Sequence, residues 1–129
     1  MARILLIDDD DLLRDTLLQM LELDKHQVTE AADGAQGLKH FHAKGASYFD
    51  AVITDMLMPG VDGTRVIVEL RRSHPDLPII AISGGRRVLS PQFNLQTASL
   101  AGASVQMAKP FNRHDLQSAL SQALSMAHR

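Results

Sequence analysis

Five short apolar runs, separated by longer segments of helical periodicity, are the feature that most limits the fold of this chain. Most of these runs are nearly continuous, whereas a strand with one face in water alternates apolar and polar side chains. Strands with nearly continuous apolar runs are buried on both faces. This predicts an α/β fold with a parallel sheet covered by helices on either side. The predicted strands are Arg3–Ile7, Gln27–Ala32, Ala51–Thr54, Pro78–Ile82 and Val105–Ala108.

Between these strands, apolar residues recur at the three- and four-residue spacing of amphipathic helices. Asp11 is well placed to cap the first helix, and Asp33 to cap the second. Residues 66–70 predict a third helix, and residues 116–124 the last one. Alternating strands and helices of this kind favour right-handed crossovers, which leave few possible topologies.

The size and composition of the chain indicate one globular domain. Its 129 residues are enough for one core and too few for two. A net charge of -2, with both signs scattered, gives no indication of a nucleic-acid or membrane surface. The absence of cysteine excludes disulfides and thiolate metal sites and fits a reducing cytoplasm. We therefore expect one cytoplasmic domain over residues 1–129, without a signal peptide or a membrane span.

The polar residues that follow four of the predicted strands are candidates for one shared site. Asp8 and Asp9 follow the first strand, Asp55 the third, Ser83 the fourth and Lys109 the fifth. Because ligands of open parallel sheets bind beyond the carboxyl ends of the strands, we expect these side chains to meet there. Three carboxylates suit a hard divalent cation such as Mg²⁺. A carboxylate in that setting can also attack phosphorus and form an acyl phosphate.

The first of these strand ends carries four consecutive aspartates, in the stretch IDDDD. Two carboxylates about 4 Å apart near a surface repel each other by roughly 4 kcal/mol. A bound cation would relieve this repulsion at Asp8 and Asp9. Asp10 and Asp11 are interpreted differently, as carboxylates near a helix N-terminus that the helix dipole stabilises by roughly 0.3–1 kcal/mol each.

Four stretches of the sequence resemble the receiver domain of two-component response regulators. They are ILLIDDDDLLR, VITDMLMPGVDG, PIIAISGG and AGASVQMAKPF, and they occur in the family's order over nearly the whole chain. The resemblance to this CheY-like superfamily implies a flavodoxin-like (βα)₅ doubly wound sheet with strand order 2-1-3-4-5. A single-domain member of the superfamily is expected.

The resemblance also implies a role for each strand-end residue in phosphoryl transfer. Asp55 would accept a phosphoryl group from a histidine kinase or a histidine phosphotransfer protein. Ser83 stands at the family's hydroxyl position and Lys109 at its lysine position, so both would contact the phosphoryl oxygens. The bond between Lys109 and Pro110 is expected to be cis.

A set of Mg²⁺ ligands follows from the same resemblance. Asp9 and Asp55 would ligate the ion, and Asp8 would act largely through a bound water molecule. The backbone carbonyl of Leu57 would complete the protein ligands.

Several positions depart from the family pattern. Gln106 replaces the tyrosine or phenylalanine that receivers use as a rotamer switch. Leu57 and Gly85 offer little means of orienting an attacking water molecule, so we predict a long-lived phosphate on Asp55. The segment 84–103 is a few residues longer than usual, and is interpreted as a solvated loop or as an altered partner surface that includes Phe93.

Three classes of function fit these observations to different degrees. The favoured one is a phosphoacceptor switch, which catalyses only its own phosphorylation and dephosphorylation and changes its binding to an unknown downstream protein. A Mg²⁺-dependent phosphohydrolase using Asp8 and Asp10 would need a substrate-enclosing cap, for which the chain has no room. A pseudo-receiver that works without phosphorylation is supported by Gln106, but the presence of Asp55 and Lys109 favours the switch.

Overall fold

The structure, a computed structural model, describes residues 2–45, 47–56, 63–83 and 102–126. The described strands are β1 (Arg3–Ile7), β2 (Gln27–Ala31), β3 (Ala51–Asp55), β4 (Ile79–Ser83) and β5 (Val105–Ala108). The described helices are α1 (Asp11–Leu23), α2 (Gly34–Lys44), α3 (Gly63–Ser73) and α4 (Arg113–Met126). Most of the long segment 84–103, interpreted above as a loop or a partner surface, lies outside the described residues.

The five strands form one parallel sheet in the order β2-β1-β3-β4-β5, which confirms the predicted doubly wound α/β fold. The strand order reverses between β1 and β3, because the chain first adds β2 on one side of β1 and then β3 on the other. A crevice at the carboxyl ends of these two strands is the usual ligand site in such sheets. Among the described helices, none is long and apolar enough to cross a membrane.

Two hydrophobic layers cover the sheet, one on each face. Successive side chains of a strand point to opposite faces, so a strand that is buried on both sides reads as a continuous apolar run. The first layer packs strand residues against α1 and α4, and includes Ile4, Leu6, Ile53, Leu17, Leu21, Leu116 and Leu120. The second packs them against α2 and α3, and includes Leu5, Ile7, Val52, Phe41, Val66, Ile67 and Leu70.

Four strand boundaries, in three of the strands, differ from the sequence prediction by one residue. β2 ends before Ala32. β3 and β4 extend to Asp55 and Ser83, which are therefore the last residues of the strand ladders rather than residues of the following loops. β4 begins at Ile79 because Pro78 has no amide hydrogen to donate to a neighbouring strand.

The N-cap of α1 also differs from the prediction, since Asp10 and not Asp11 caps this helix. The Asp10 carboxylate accepts hydrogen bonds from the amides of the second and third helical residues, at 3.1 and 3.2 Å. Asp11 is instead the first helical residue, and its carboxylate pairs with Arg14 at 2.7 Å. The predicted cap of α2, Asp33, is confirmed.

Candidate functional site

Three carboxylates lie together at the carboxyl ends of β1 and β3. One oxygen from each of Asp8, Asp9 and Asp55 lies within 4.8 Å of the other two. The parallel register brings them together, because the last residue of β1, Ile7, is paired with Thr54 beside Asp55. Asp8 and Asp55 are almost completely buried, with 1% and 6% of their surface exposed. Negative charge is thus concentrated in a poorly solvated crevice.

Asp8 is held at its backbone and at one of its two carboxylate oxygens. Its amide donates to the Ala31 carbonyl at 3.1 Å, and its Oδ1 accepts from the Asp10 amide at 2.9 Å. Its buried Oδ2 has no hydrogen-bond partner among the described residues. Burial raises the pKa of Asp8 to about 6, and the Asp55 charge adds to this increase against the Asp10 hydrogen bond. Buried oxygens without a partner are rare in native proteins, and such an atom is available to a ligand.

Lys109 brings a positive charge to the same edge of the sheet. Its Nζ lies 3.8 Å from Oδ2 of Asp55. Its amide donates to the carbonyl of Ser83 at 2.8 Å, which joins the end of β5 to the end of β4. Ser83 itself is 1% exposed, and the Lys109–Pro110 bond is cis, as predicted. The predicted strand-end residues therefore lie at one edge of the sheet.

The backbone around Asp55 is closely packed in a way that the sequence analysis did not anticipate. The Thr54 hydroxyl donates to the Asp55 carbonyl at 2.9 Å. Gly63, the first residue of α3, leaves no space there for a side chain, since a Cβ would lie 2.2 Å from the same carbonyl oxygen. Asp-Gly at positions 62 and 63 is visible in the sequence as a turn signal, but the close approach of Gly63 to Asp55 depends on how α3 packs against the end of β3.

Some sequence predictions cannot be placed in this geometry. Leu57, Gly85 and Phe93 lie outside the described residues. Gln106 is half-buried in β5, and its side-chain amide donates to the Ala103 carbonyl at 3.4 Å. Position 106 therefore has a side-chain amide where receiver domains usually have an aromatic ring.

The residues of the crevice fit a hard divalent cation. Mg²⁺ prefers oxygen ligands and is commonly bound through one or two carboxylates together with water and phosphate oxygens. Three clustered carboxylates and the buried Asp8 oxygen without a partner supply ligands of this kind. A cation would also offset the repulsion among the three acidic groups.

Comparison with known proteins places these features in a family. Residues 4–121 match the family model for the response regulator receiver domain. The chain is 33% identical over 115 residues to the response regulator MprA of Mycolicibacterium vanbaalenii, a match that covers 89% of this chain and 47% of MprA. It is 36% identical over 83 residues to the sensor kinase CckA of Brucella abortus, which covers 64% of this chain and 9% of CckA. The chain thus spans half the length of these relatives or less.

A solved structure gives the same assignment. The response regulator receiver domain protein of Clostridium thermocellum superposes with a TM-score of 0.86 at 30% identity, covering 97% of this chain and 95% of that one. The match therefore extends over the whole sheet and the crevice at its carboxyl edge. The chain belongs to the family of response regulator receiver domains.

Proposed function

We propose that this domain is the phosphoacceptor of a two-component system, and that Asp55 receives the phosphoryl group. The observation that carries the proposal is the position of Asp55 between the carboxylates of Asp8 and Asp9 and the ammonium group of Lys109. The carboxylates suit a cation, and the ammonium group suits the negative oxygens of a phosphoryl group. These four residues lie in stretches that carry the sequence resemblance to receiver domains.

The proposed reaction is a phosphoryl transfer from a phosphohistidine of a histidine kinase or a histidine phosphotransfer protein. An oxygen of Asp55 attacks phosphorus, and the P–N bond breaks as the P–O bond forms. The released imidazole keeps the bonding electron pair and takes up a proton. Hydrolysis of the acyl phosphate returns the Asp55 carboxylate and inorganic phosphate. We propose no reaction on a separate substrate.

Each residue of the site has a role in this proposal. Asp9 and Asp55 would ligate Mg²⁺, and Asp8 would act largely through a water molecule. The backbone carbonyl of Leu57, outside the described residues, is the fourth proposed ligand group. When bound, Mg²⁺ would offset the negative charge of the carboxylates and of the phosphoryl oxygens.

Two further groups complete the phosphoryl site in the proposal. The Lys109 ammonium contacts a phosphoryl oxygen as charge develops there, and the Ser83 hydroxyl donates a hydrogen bond to another. Ser83 ends β4 and Lys109 directly follows the neighbouring strand β5, so both residues lie at the same edge of the sheet. Phosphorylation then shifts the conformational equilibrium of the domain and alters its binding to a downstream protein.

The test is phosphorylation by acetyl phosphate, followed by intact mass measurement with and without Mg²⁺. We expect a Mg²⁺-dependent gain of one phosphoryl group that is lost in Asp55→Asn. Folded protein that gains no phosphoryl group under any condition would contradict the proposal. That result would favour the pseudo-receiver, which Gln106 at the usual aromatic position already supports to a lesser degree.

The lifetime of the phosphorylated form is a separate prediction. Leu57 and Gly85 stand at positions where the family tunes hydrolysis. Leu57 is apolar and Gly85 has no side chain, so they offer little means of orienting a water molecule for attack on phosphorus. We therefore expect slow release of phosphate from Asp55. A half-life of seconds in a phosphate-release assay would contradict this expectation without affecting the assignment of Asp55.

A further inference from the structure

Arg14 connects three parts of the chain next to the carboxylate cluster. Its Nη1 donates to the backbone carbonyl of Asp8 at 2.7 Å. Its Nη2 donates to Asp11 at 2.7 Å, and its Nε donates to Glu30 in β2 at 3.3 Å. The Arg14 side chain is only 16% exposed, so these contacts are partly shielded from water. One guanidinium therefore joins the β1–α1 turn, the first turn of α1 and the neighbouring strand.

These contacts complete the support of Asp8. Its amide is bonded to Ala31 in β2, its Oδ1 accepts from the Asp10 amide, and its carbonyl accepts from Arg14. Within the part of the chain that the structure describes, every hydrogen-bonding group of Asp8 is thus engaged except Oδ2. A turn held at so many points has little freedom to move its carboxylate away from its two neighbours. The four-aspartate run is stable in this arrangement partly because Arg14 engages both its first and its last residue.

We propose that Arg14 is a positioning residue for the cation site, which holds the Asp8 turn through the Asp8 carbonyl and so sets the affinity for the divalent cation. The proposal rests on the cation site of the proposed function, but it does not require phosphorylation. Groups that orient metal ligands without touching the metal typically change metal affinity by 10–100-fold when they are removed. We expect Arg14 to belong to this class.

The proposal makes a prediction opposite in sign to that of simple electrostatics. A guanidinium near three carboxylates repels a cation, so its removal as a charge alone would strengthen cation binding. If Arg14 instead holds the turn, its removal weakens cation binding although the site becomes more negative. The substitution Arg14→Lys separates the effect of the charge from the effect of holding the turn. Lysine keeps the charge but lacks the planar fork that can contact Asp8, Asp11 and Glu30 together.

The experiment measures Mg²⁺ affinity of the unphosphorylated protein by isothermal titration calorimetry, with Mn²⁺ binding followed by electron paramagnetic resonance as a second readout. We expect Arg14→Gln to weaken binding roughly tenfold or more. Arg14→Lys is expected to fall between this variant and the wild type, since one donor to the Asp8 carbonyl is retained. Circular dichroism establishes that each variant is folded.

Arg113→Gln is the matched control. Arg113 forms a similar ion pair with Asp24, which follows the C-terminal end of α1, away from the crevice at the start of this helix. Its removal changes the net charge by the same amount, and we expect Mg²⁺ affinity to stay within about twofold of the wild type, because the Asp8 turn is untouched.

The outcomes separate this inference from the proposed function. Wild-type or tighter Mg²⁺ binding in Arg14→Gln overturns the inference, whatever happens to phosphorylation. If that variant does not fold, wild-type affinity in Arg14→Lys overturns it. Weakened binding in both variants supports it, even where Asp55 of the wild type takes no phosphoryl group. No cation binding in the wild type overturns it together with the proposed Mg²⁺ site.

Discussion

Gly63 lies so close to the backbone of Asp55 that a Cβ at position 63 would be 2.2 Å from the Asp55 carbonyl oxygen. The same Cβ would be 2.6 Å from the Cα of Met56, whose carbonyl accepts from the Gly63 amide at 3.0 Å. These neighbours are backbone atoms, which cannot rotate away as the end of a side chain can. The start of α3 therefore constrains the end of the strand that carries Asp55.

Gly63→Ala is expected to destabilise the protein and to slow phosphorylation of Asp55. The added methyl group has to displace either α3 or the end of β3, and overpacking of this kind costs roughly 1–3 kcal/mol. Urea unfolding measures the loss in the free energy of unfolding, and acetyl phosphate labelling measures the rate. A variant with wild-type stability would show that the two backbones separate without cost.

Gly37→Ala provides the comparison for this substitution. A Cβ at Gly37 would also lie too close to a neighbour, but that neighbour is Cδ1 of the Ile7 side chain, at 2.3 Å. A side chain can change its rotamer, and alanine is favoured over glycine within a helix by about 1 kcal/mol. We therefore expect a smaller loss of stability than in Gly63→Ala.

Asp8→Asn is expected to raise the free energy of unfolding of the cation-free protein at pH 7. Burial raises the pKa of Asp8 to about 6, so the folded state resists ionisation of this group while the unfolded state does not. The stability of the wild type therefore falls as pH rises from about 4 to about 6, and asparagine removes this loss. A shift of this size corresponds to at most roughly 3 kcal/mol. Urea unfolding in EDTA at pH 4 and pH 7 measures the difference, which should shrink at pH 4.

Asp15→Asn is the matched control for this experiment, because it removes an exposed carboxylate from α1, where it accepts a hydrogen bond from Gln19. Substitutions of this kind usually change stability by less than about 0.5 kcal/mol.

Added Mg²⁺ should stabilise the wild type and Asp15→Asn, since a ligand that binds the folded state alone raises its stability. Asp8→Asn should respond less. An equal response in all three proteins would contradict the placement of the cation near Asp8.

Arg71 is expected to contribute strongly to stability. Its Nη1 donates to the carbonyls of His74, Pro75 and Leu77 at 3.1, 2.8 and 2.7 Å. Its Nε and Nη2 both donate to the Gly102 carbonyl, at 3.0 and 2.8 Å. Since hydrogen bonds to charged groups contribute about 1.5–3 kcal/mol, Arg71→Gln should lower the free energy of unfolding by roughly 2 kcal/mol or more.

The neighbouring Arg72 is the control for this prediction, because it is exposed at the end of the same helix. Arg72→Gln is expected to change the free energy of unfolding by less than about 0.5 kcal/mol. The two variants remove the same charge, so a similar effect of both would indicate a response to charge rather than to the Arg71 hydrogen bonds.

The sequence was sufficient for the sheet and for the residues at its carboxyl edge. Strands buried on both faces produce apolar runs that are visible without a structure, and parallel topology sends their carboxyl ends to one edge. Asp55 and Lys109 could therefore be assigned to the same site from their positions at the end of β3 and directly after β5. That these two residues lie at the same edge of the sheet depends on the topology alone.

Contacts across the fold were beyond the reach of the sequence. The spacing of Arg14 from Asp11 is visible as an i, i+3 pair, but its contact with Glu30 depends on how α1 packs beside β2. The wrong prediction of the N-cap residue of α1 has a local cause. Asp10 and Asp11 both offer a suitable oxygen, and the choice depends on the extended backbone of Asp10, at φ -87° and ψ 106°.

His26 is expected to make the protein less stable as pH falls below neutrality. Its Nδ1 accepts a hydrogen bond from the Ala2 amide at 2.9 Å, next to the first pairing of β1 with β2. Burial and the positive N-terminal amino group lower the pKa of His26, although the Asp24 carboxylate opposes them. The unfolded state therefore binds the proton more readily, and stability falls as pH drops through about 6.5. Protonation also removes the acceptor for Ala2.

His26→Asn tests this prediction, because the asparagine Oδ1 can accept the same hydrogen bond and does not titrate. Unfolding free energies of the two proteins should diverge between about pH 7 and pH 5, with the wild type losing more. Asp8 titrates in an overlapping range with the opposite sign, so the histidine contribution is the difference between the two proteins at each pH. The same substitution at His114, which is exposed on α4, is the matched control for the loss of an imidazole. Parallel curves for the wild type and His26→Asn would show that the Ala2 contact does not depend on the charge of His26.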